Sequence, residues 1–270
     1  MPYKISSACI SNIGKVRENN EDNFCFDGII MNEKNKGVKN ILTKNFSSND
    51  NKVFAIFDGM GGHDNGERAS YLASLTLKEK KDKNKIDWND FVFNANDRIC
   101  SEMIKNKKRM GSTMAGIQFC DSEVCISNLG DSRIYKLYND KLEQISEDHT
   151  EAKMSENLRK DNTHKSRLTQ YLGIREDEMI IQPFQKSIEY ENIDKILICS
   201  DGITDMVSEK VIEDILINNK TVECVKQLLN EALNNGGEDN ITVMVFEIKR
   251  NRKEKILKKI WHILTDRRWI

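Results

Sequence analysis

At 270 residues the chain can form one large domain with a sizeable core, and no Pro/Gly/Ser-rich linker divides it; it holds only two prolines. Hydrophobic residues make up 38% and charged residues 31%, with a net charge of -1, which excludes a general nucleic-acid binder. The seven cysteines are odd in number and lack metal-ligand spacing. Cys25, Cys120, Cys125 and Cys199 lie in apolar runs and read as small buried hydrophobes, so a reduced, cytoplasmic protein is expected. The N-terminus carries no charged-then-apolar signal pattern, and no apolar run is long enough to span a bilayer.

Residues 3–11 alternate loosely and predict a first strand, followed by a polar turn over 12–23 and a second strand over 24–31. Residues 32–51, rich in Asn, Lys and Ser, read as a loop or hairpin tip. Five apolar residues, 53–57, then form a buried strand that ends on Asp58-Gly59-Met60-Gly61-Gly62-His63. Asp-Gly alone commonly marks a tight turn. A carboxylate closing a buried strand, however, needs a cation or several donors. Helices are expected over 64–80 and 87–108. The second ends in Lys105, Lys107, Lys108 and Arg109, which suit the negative end of a helix and read as a solvated face.

From residue 111 the pattern becomes β: short strands over 112–119, 123–129 and 132–138, a hairpin at Asn139-Asp140, and a strand over 141–145. Residues 146–170 are polar and irregular. A strand over 180–188 and a fully apolar one over 196–199 follow, the latter stopping on Ser200-Asp201-Gly202. Two helices come next, the first capped by Ser208 and the second stopped by Asn234-Asn235-Gly236-Gly237. Glu238-Asp239-Asn240 opens the last strand, 241–248. Strands crowd the middle and helices pair at both ends. The fold class is therefore α+β, a stack of sheets with helix pairs outside.

Each acid-rich punctuation point abuts a strand. If they converge, Glu21, Asp58, Asp201 and Asp239 put about four negative charges in one cleft. Two carboxylates about 4 Å apart repel by roughly 4 kcal/mol at an effective dielectric of 20. Two divalent cations would neutralise the cluster, and all-oxygen ligation favours magnesium or manganese. A two-metal site lowers the pKa of a bridging water and holds a phosphate for in-line attack. Arg17, four residues before Glu21, is close enough to clamp phosphate oxygens.

Eight ordered motifs carry a resemblance to the metal-dependent protein phosphatases of the type 2C class, and to their bacterial members most of all. They are Gly14-x-x-Arg17-x-x-Asn20-Glu21-Asp22, Phe57-Asp58-Gly59-Met60-Gly61-Gly62-His63, Gly111-Ser112-Thr113, Asn128-Leu129-Gly130-Asp131-Ser132-Arg133, Glu147-Asp148-His149-Thr150, Leu168-Thr169-x-x-Leu172-Gly173, Ser200-Asp201-Gly202-x-x-Asp205 and Asp239-Asn240-Ile241-Thr242. The resemblance implies a central β-sandwich of two antiparallel sheets flanked by pairs of helices. It implies hydrolysis of phosphoserine and phosphothreonine in proteins, reversing a serine/threonine kinase, with two Mn2+ or Mg2+ ions and a third, weaker metal site. Asp58 would bridge the two metals and the Gly59 carbonyl would ligate one of them. Glu21 or Asp22 would hold that same metal, the other acid ordering its waters. Asp201 and Asp239 would hold the second metal, Asp131 and Asp205 with Asp201 the third, and Arg17 the substrate phosphate. Met60 stands where some relatives place a proton-donating histidine. His63, three residues on, would supply that proton, or a water would. Residues 148–167 match the family's variable flap beside the cleft.

Rival chemistries lack their signatures. No cysteine stands before the x5-Arg of a cysteine phosphatase, and Asp58-Gly59-Met60 lacks the second acid of an aspartyl-phosphate enzyme. The remaining alternative is a catalytically silent module of the same fold, which lost acids would signal; none is lost here. The phosphatase domain is expected to span 1–249. Residues 250–270 form a basic amphipathic helix: Ile256, Ile260, Ile263 and Leu264 share one face, with Lys253, Lys255, Lys258, Lys259, Arg267 and Arg268 around it. This helix would dock on the domain, on an anionic membrane surface or on a partner protein. Deleting 250–270 is expected to leave hydrolysis of a small phosphate ester intact and to change location or partner choice. Loss of small-ester turnover in a still-folded truncation would show that the helix serves the reaction.

Overall fold

The computed structural model describes residues 2–61, 65–81, 85–154 and 166–249. The chain begins with β1 (Lys4–Asn12), β2 (Asp22–Phe26) and β3 (Leu42–Ser47), then enters β4 (Val53–Met60). Helices α1 (Gly66–Lys80) and α2 (Trp88–Asn106) follow. The β-rich middle holds β5 (Gly111–Ser112), β6 (Met114–Phe119), β7 (Glu123–Leu129), β8 (Arg133–Tyr138) and β9 (Lys141–Gln144). A single turn, α3 (Glu151–Met154), precedes β10 (Phe184–Glu189) and β11 (Lys195–Cys199). The chain closes with α4 (Asp201–Thr204), α5 (Glu209–Asn218), α6 (Thr221–Asn234) and β12 (Ile241–Lys249). One sheet runs β3-β1-β12-β11-β8-β9, the other β10-β7-β6-β4-β2, with β5 paired to the end of β4. The pairings within both sheets are antiparallel. The expected α+β sandwich is what the structure shows.

The central strands read as unbroken apolar runs because both of their faces are covered. Successive side chains of a strand point to opposite faces. In β4, Phe54 and Ile56 enter the layer between the sheets, while Val53, Ala55 and Phe57 pack under α1 and α2. In β12, Met244, Phe246 and Ile248 enter the same central layer, while Ile241, Val243 and Val245 meet α5 and α6. Three apolar layers therefore separate four structural ones. At the middle of the central layer the Phe54 ring lies 5.1 Å from Phe26, 5.4 Å from Phe46 and 4.8 Å from Phe246 of the opposite sheet.

Local chemistry sets the boundaries. The Asp87 side chain accepts from the backbone N–H groups of Asn89 and Asp90 and caps α2. Ser208 caps α5 through the Val211 N–H. Asn139 and Asp140 both take positive φ, 52° and 60°, in the two-residue turn between β8 and β9. The structure departs from expectation in four places. The second strand stops at Phe26, where Asp27 and Gly28 turn with φ of 50° and 89°. Residues 42–47, expected within a loop, form edge strand β3 on β1. Its alternation was hidden by polar residues: Lys44 pairs with the nearly buried Asp27, and Phe46 alone is fully inserted. Thr113 interrupts the strand expected over 112–119. The strand expected from residue 180 starts at Phe184, directly after Pro183, which has no N–H to donate.

The seven cysteines are unpaired, five of them buried and Cys100 and Cys120 partly exposed. Among the described residues no helix is long and apolar enough to cross a membrane. The aromatic cluster dictates a stability contrast. Phe54→Ala should cost about 3–5 kcal/mol, whereas Phe93→Ala, at a position 62% exposed on α2, should change stability by no more than about 0.5 kcal/mol. Urea midpoints measure both, and equal losses would contradict the packing.

Candidate active site

The central apolar layer ends in a polar one. Along β2, Phe24 and Phe26 face the other sheet, so Asp22, two residues earlier, is on the same face. By the same period Asp58 follows Phe54 and Ile56, Ser200 follows Ile196 and Ile198, and Thr242 precedes Met244 and Phe246. Asp22 and Asp58 are directly opposed in the β2–β4 register. The Ser200 hydroxyl donates to Asp22 Oδ2 at 2.8 Å and the Thr242 hydroxyl donates to the same oxygen at 2.6 Å. Asp22 thus ties the end of one sheet to the end of the other. Its second oxygen, Oδ1, is buried and receives no hydrogen bond.

Backbone contacts draw the remaining segments in. Asn240 donates to the carbonyls of Ile13 and Asn19, each at 2.9 Å, and accepts from the Glu21 N–H at 2.7 Å. Gly14 has φ +82°, and a Cβ there would lie 2.3 Å from the Asp239 carbonyl oxygen, so this turn requires glycine. The close approach brings the half-exposed Arg17 guanidinium to Asp239 at 2.8 Å. The Glu21 carbonyl accepts from the Gly59 N–H and the Ser70 hydroxyl. Its carboxyl lies over Gly66, the first residue of α1, where a Cβ would lie 2.6 Å from Glu21 Cδ. Thr113 fixes Asp58 from the other side: its hydroxyl accepts from the Asp58 N–H at 3.1 Å and its own N–H donates to the Asp58 carbonyl at 2.8 Å.

Charge crowds this end of the sandwich. Burial, and then the acids Asp201, Asp22, Asp131 and Asp239, hold the Asp58 carboxyl well above the usual carboxylate range. Burial also pushes Asp22 up to about 7, against its two hydroxyl donors and with Asp201 and Asp239 adding to the rise. Glu21 rises to about 7 through burial and the nearby Glu67, partly offset by Arg17. Asp201 opens α4 and is buried; Asp205, one turn on, is exposed; Asp131 is half-buried in the turn after Gly130. The structure therefore brings Asp22, Asp58, Asp131, Asp201 and Asp239 into one field, sets Glu21 and Arg17 at its rim, and leaves Asp205 facing solvent. His63 lies outside the described residues.

A cation fits what these residues lack. Asp22 carries an orphaned buried acceptor, and the neighbouring acids repel one another. Among the described residues, no three acidic, histidine or cysteine side chains close tightly enough to enclose an ion unaided. Such an open arrangement suits hard divalent ions that retain several waters. Sequence reasoning missed the supporting groups. Ser200, Thr113 and Thr242 lie inside quoted motifs but carried no assigned role. Glu67 is 5% exposed with an unpaired Oε2. Its signal was an acid on the buried face of the first turn of α1.

A family model described as protein phosphatase 2C matches residues 43–239. The chain belongs to the protein phosphatase 2C family. The serine/threonine phosphatase stp of Listeria monocytogenes serotype 4b is 31% identical over 256 residues, covering 87% of this chain and 92% of that one. The serine/threonine protein phosphatase PstP of Mycobacterium tuberculosis is 30% identical over 211 residues, 73% of this chain and 40% of that longer one. Among solved structures, the catalytic domain of PstP in complex with two manganese ions aligns with a TM-score of 0.72 at 26% identity, covering 92% of this chain and all of that one. Stp1 from Staphylococcus aureus aligns with a TM-score of 0.74 at 26% identity, over 90% and 95% of the two chains. This phosphatase 2C member is an enzyme, and the catalytically silent module is not favoured.

The raised acids set a pH dependence for the cation-free protein. Unfolded Asp and Glu lose their protons near about pH 4, while folded Asp22 and Glu21 hold theirs to about 7. Between those values the folded state binds more protons, so stability should fall as pH rises through this window. Asp58→Asn removes a carboxyl whose ionisation the fold opposes and should raise the cation-free Tm at pH 8 by about 2–5 °C. Calorimetry with chelator present reads both effects; a lower Tm for the variant would mean the acids do not repel.

Proposed function

We propose that this protein hydrolyses phosphoserine and phosphothreonine esters in proteins, using two divalent cations, manganese or magnesium, at the Asp22–Asp58 end of the sandwich. The observation that carries the reading is the orphaned Asp22 oxygen beside Asp58 in a field of three further aspartates and Glu21. Asp58 and the Gly59 carbonyl, Asp22 with Glu21, and Asp201 with Asp239 would hold the ions. Bound there, the pair supplies a nucleophile at neutral pH and clamps the attacking and leaving oxygens of an in-line displacement. Asp131, Asp205 and Asp201 are proposed for a third, weaker ion.

The chain's own groups orient and neutralise. Ser200 and Thr242 fix the Asp22 carboxyl through Oδ2 and so determine where Oδ1 lies. Arg17 shares Asp239 with the proposed ions. With Asp239 engaged in holding a cation, the Arg17 guanidinium would be available to bind two phosphate oxygens with its planar fork. The half-exposed position of Arg17 lets it swing to substrate without desolvation. A proton for the leaving alkoxide would come from His63 or from water. Phosphorylated proteins are the substrates. A cognate kinase and a cytoplasmic location belong to this same proposal, as does a membrane or protein contact by residues 250–270, which lie outside the described residues.

Hydrolysis of p-nitrophenyl phosphate and a phosphothreonine peptide tests the reading, with manganese, magnesium and chelator compared. Turnover should need the metal, and Asp58→Asn and Asp239→Asn should reduce it to background. Thr242→Val should lower metal affinity or activity by about 10–100-fold while leaving the fold intact. Activity that survives chelator and both Asn variants would overturn the mechanism.

A further inference from the structure

The strand that carries Asp58 runs on into a groove of about 330 Å³. Met60 lies two residues past Asp58, about 7 Å at the rise of a strand, and lines the groove with Met110 and Tyr171. The strand end is fixed there. Met60 pairs with Gly111, and Ser112 exchanges backbone hydrogen bonds with Leu172 at 2.8 and 2.9 Å. Gly111 leaves room for the Tyr171 ring, whose Cδ2 would lie 2.8 Å from a Cβ there. The groove thus begins two residues beyond Asp58 on the same strand.

The rim is cationic. Lys107, Lys108, Arg109 and Arg175 line it against one acid, Glu178. Arg109 and Arg175 both draw on that acid, at 3.5 and 3.2 Å, and Arg175 also pairs with Asp177 at 3.2 Å, so the unbalanced charge is that of Lys107 and Lys108, which form no ion pair among the described residues. The sequence suggested that Lys105 to Arg109 merely complement a helix end. In the structure α2 stops at Asn106, Lys107 takes the left-handed cap conformation with φ 54°, and the next two cations leave the helix to border the groove. Arg109 is 91% exposed while it does so. A chain with net charge -1 has concentrated cations beside its reaction site.

We propose that this groove receives the acidic, partly apolar segment flanking the phosphorylated residue of the substrate protein, an inference that rests on the phosphatase reading above. An extended peptide advances about 3.3 Å per residue, so residues two to four positions from the phosphorylated one reach the groove. Their carboxylates meet Lys107, Lys108, Arg109 and Arg175, and an apolar side chain among them covers Met60 and Met110. The basic segment 250–270 has the same sign as the rim and is therefore not the occupant proposed. Residues of the groove contribute attraction and register, not chemistry, so their effect falls on kcat/KM for peptides and weakens as salt screens it.

Phosphothreonine peptides that differ only at positions two to four on either side, carrying Glu, Gln or Lys, test this with the full chain and manganese. At low salt kcat/KM should fall from Glu to Gln to Lys, with about tenfold between the extremes, and the order should reverse in the double variant Lys108→Glu, Arg109→Glu. Hydrolysis of p-nitrophenyl phosphate by both proteins reports the reaction separately. Equal kcat/KM for the three peptides in the wild type, or an unchanged order in the double variant, overturns the groove and leaves the phosphatase reading standing. No hydrolysis of the ester or any peptide by the folded wild type overturns the phosphatase reading and the groove with it.

Discussion

Repulsion among buried acids at one end of a β-sandwich is the constraint on which this structure depends. Asp58 sits where an apolar strand would otherwise continue, and four other carboxyl groups raise its proton affinity further. A fold selected for stability alone would fill that end with valine or isoleucine, as it does two residues deeper. The arrangement persists because the rest of the molecule over-determines it. Three apolar layers anchor the strands, and the aromatic cluster around Phe54 locks one sheet to the other. The end of the sandwich is then free to be polar. Removing charge there should stabilise the cation-free protein and abolish its chemistry, the usual signature of a site held against its own strain.

How the acids are held matters as much as their number. Asp22 is oriented by hydroxyls of Thr242 in β12 and of Ser200 just past β11 of the opposite sheet, so its geometry depends on sheet-to-sheet registry. Asn240 performs the same service for the loop that carries Glu21, gathering three backbone groups with one side-chain amide. Glycines let these segments meet backbone to backbone. A Cβ at Gly59 would lie 2.1 Å from the Gly66 carbonyl oxygen, which shows how closely the start of α1 abuts the acid-bearing strand. The positive end of that helix consequently faces the Glu21 carboxyl. Small displacements of α1 would therefore be felt at the cation site.

Much of this was legible in the sequence, for identifiable reasons. Long apolar runs that end on Asp-Gly are visible because a doubly covered strand needs no polar face, and both such runs, before Asp58 and Asp201, are where the structure puts them. Helix caps at Asp87 and Ser208 and the turn at Asn139-Asp140 depend on local chemistry and are equally plain. Edge strand β3 was not legible, since its outward positions are polar and its inward Lys44 is satisfied by Asp27, a partner seventeen residues away. The supporting hydroxyls Ser200 and Thr242 were present in recognisable motifs, but nothing local distinguishes a serine that orients a carboxylate from one that caps a helix. That distinction exists only once two distant strands are aligned. Charge at Lys107 to Arg109 is exposed at the end of α2, as expected, and its place beside the groove was not legible for a similar reason. A helix end and a groove rim look alike until the left-handed cap at Lys107 shows where the helix stops.

Acid cluster and basic groove together make a dipolar surface along a single strand end. Cations bound among the acids would convert the first region from negative to near neutral, while Arg17, released from Asp239, adds positive charge beside it. The adjacent rim is already positive. A phosphoprotein approaching the metal-free protein would meet repulsion at the acid cluster; with cations bound there, as proposed, it would meet Arg17 and the basic rim instead. Metal loading and substrate attraction are then coupled through the same electrostatics, without any change of fold. Under the proposed occupancy this coupling would follow from charge placement alone.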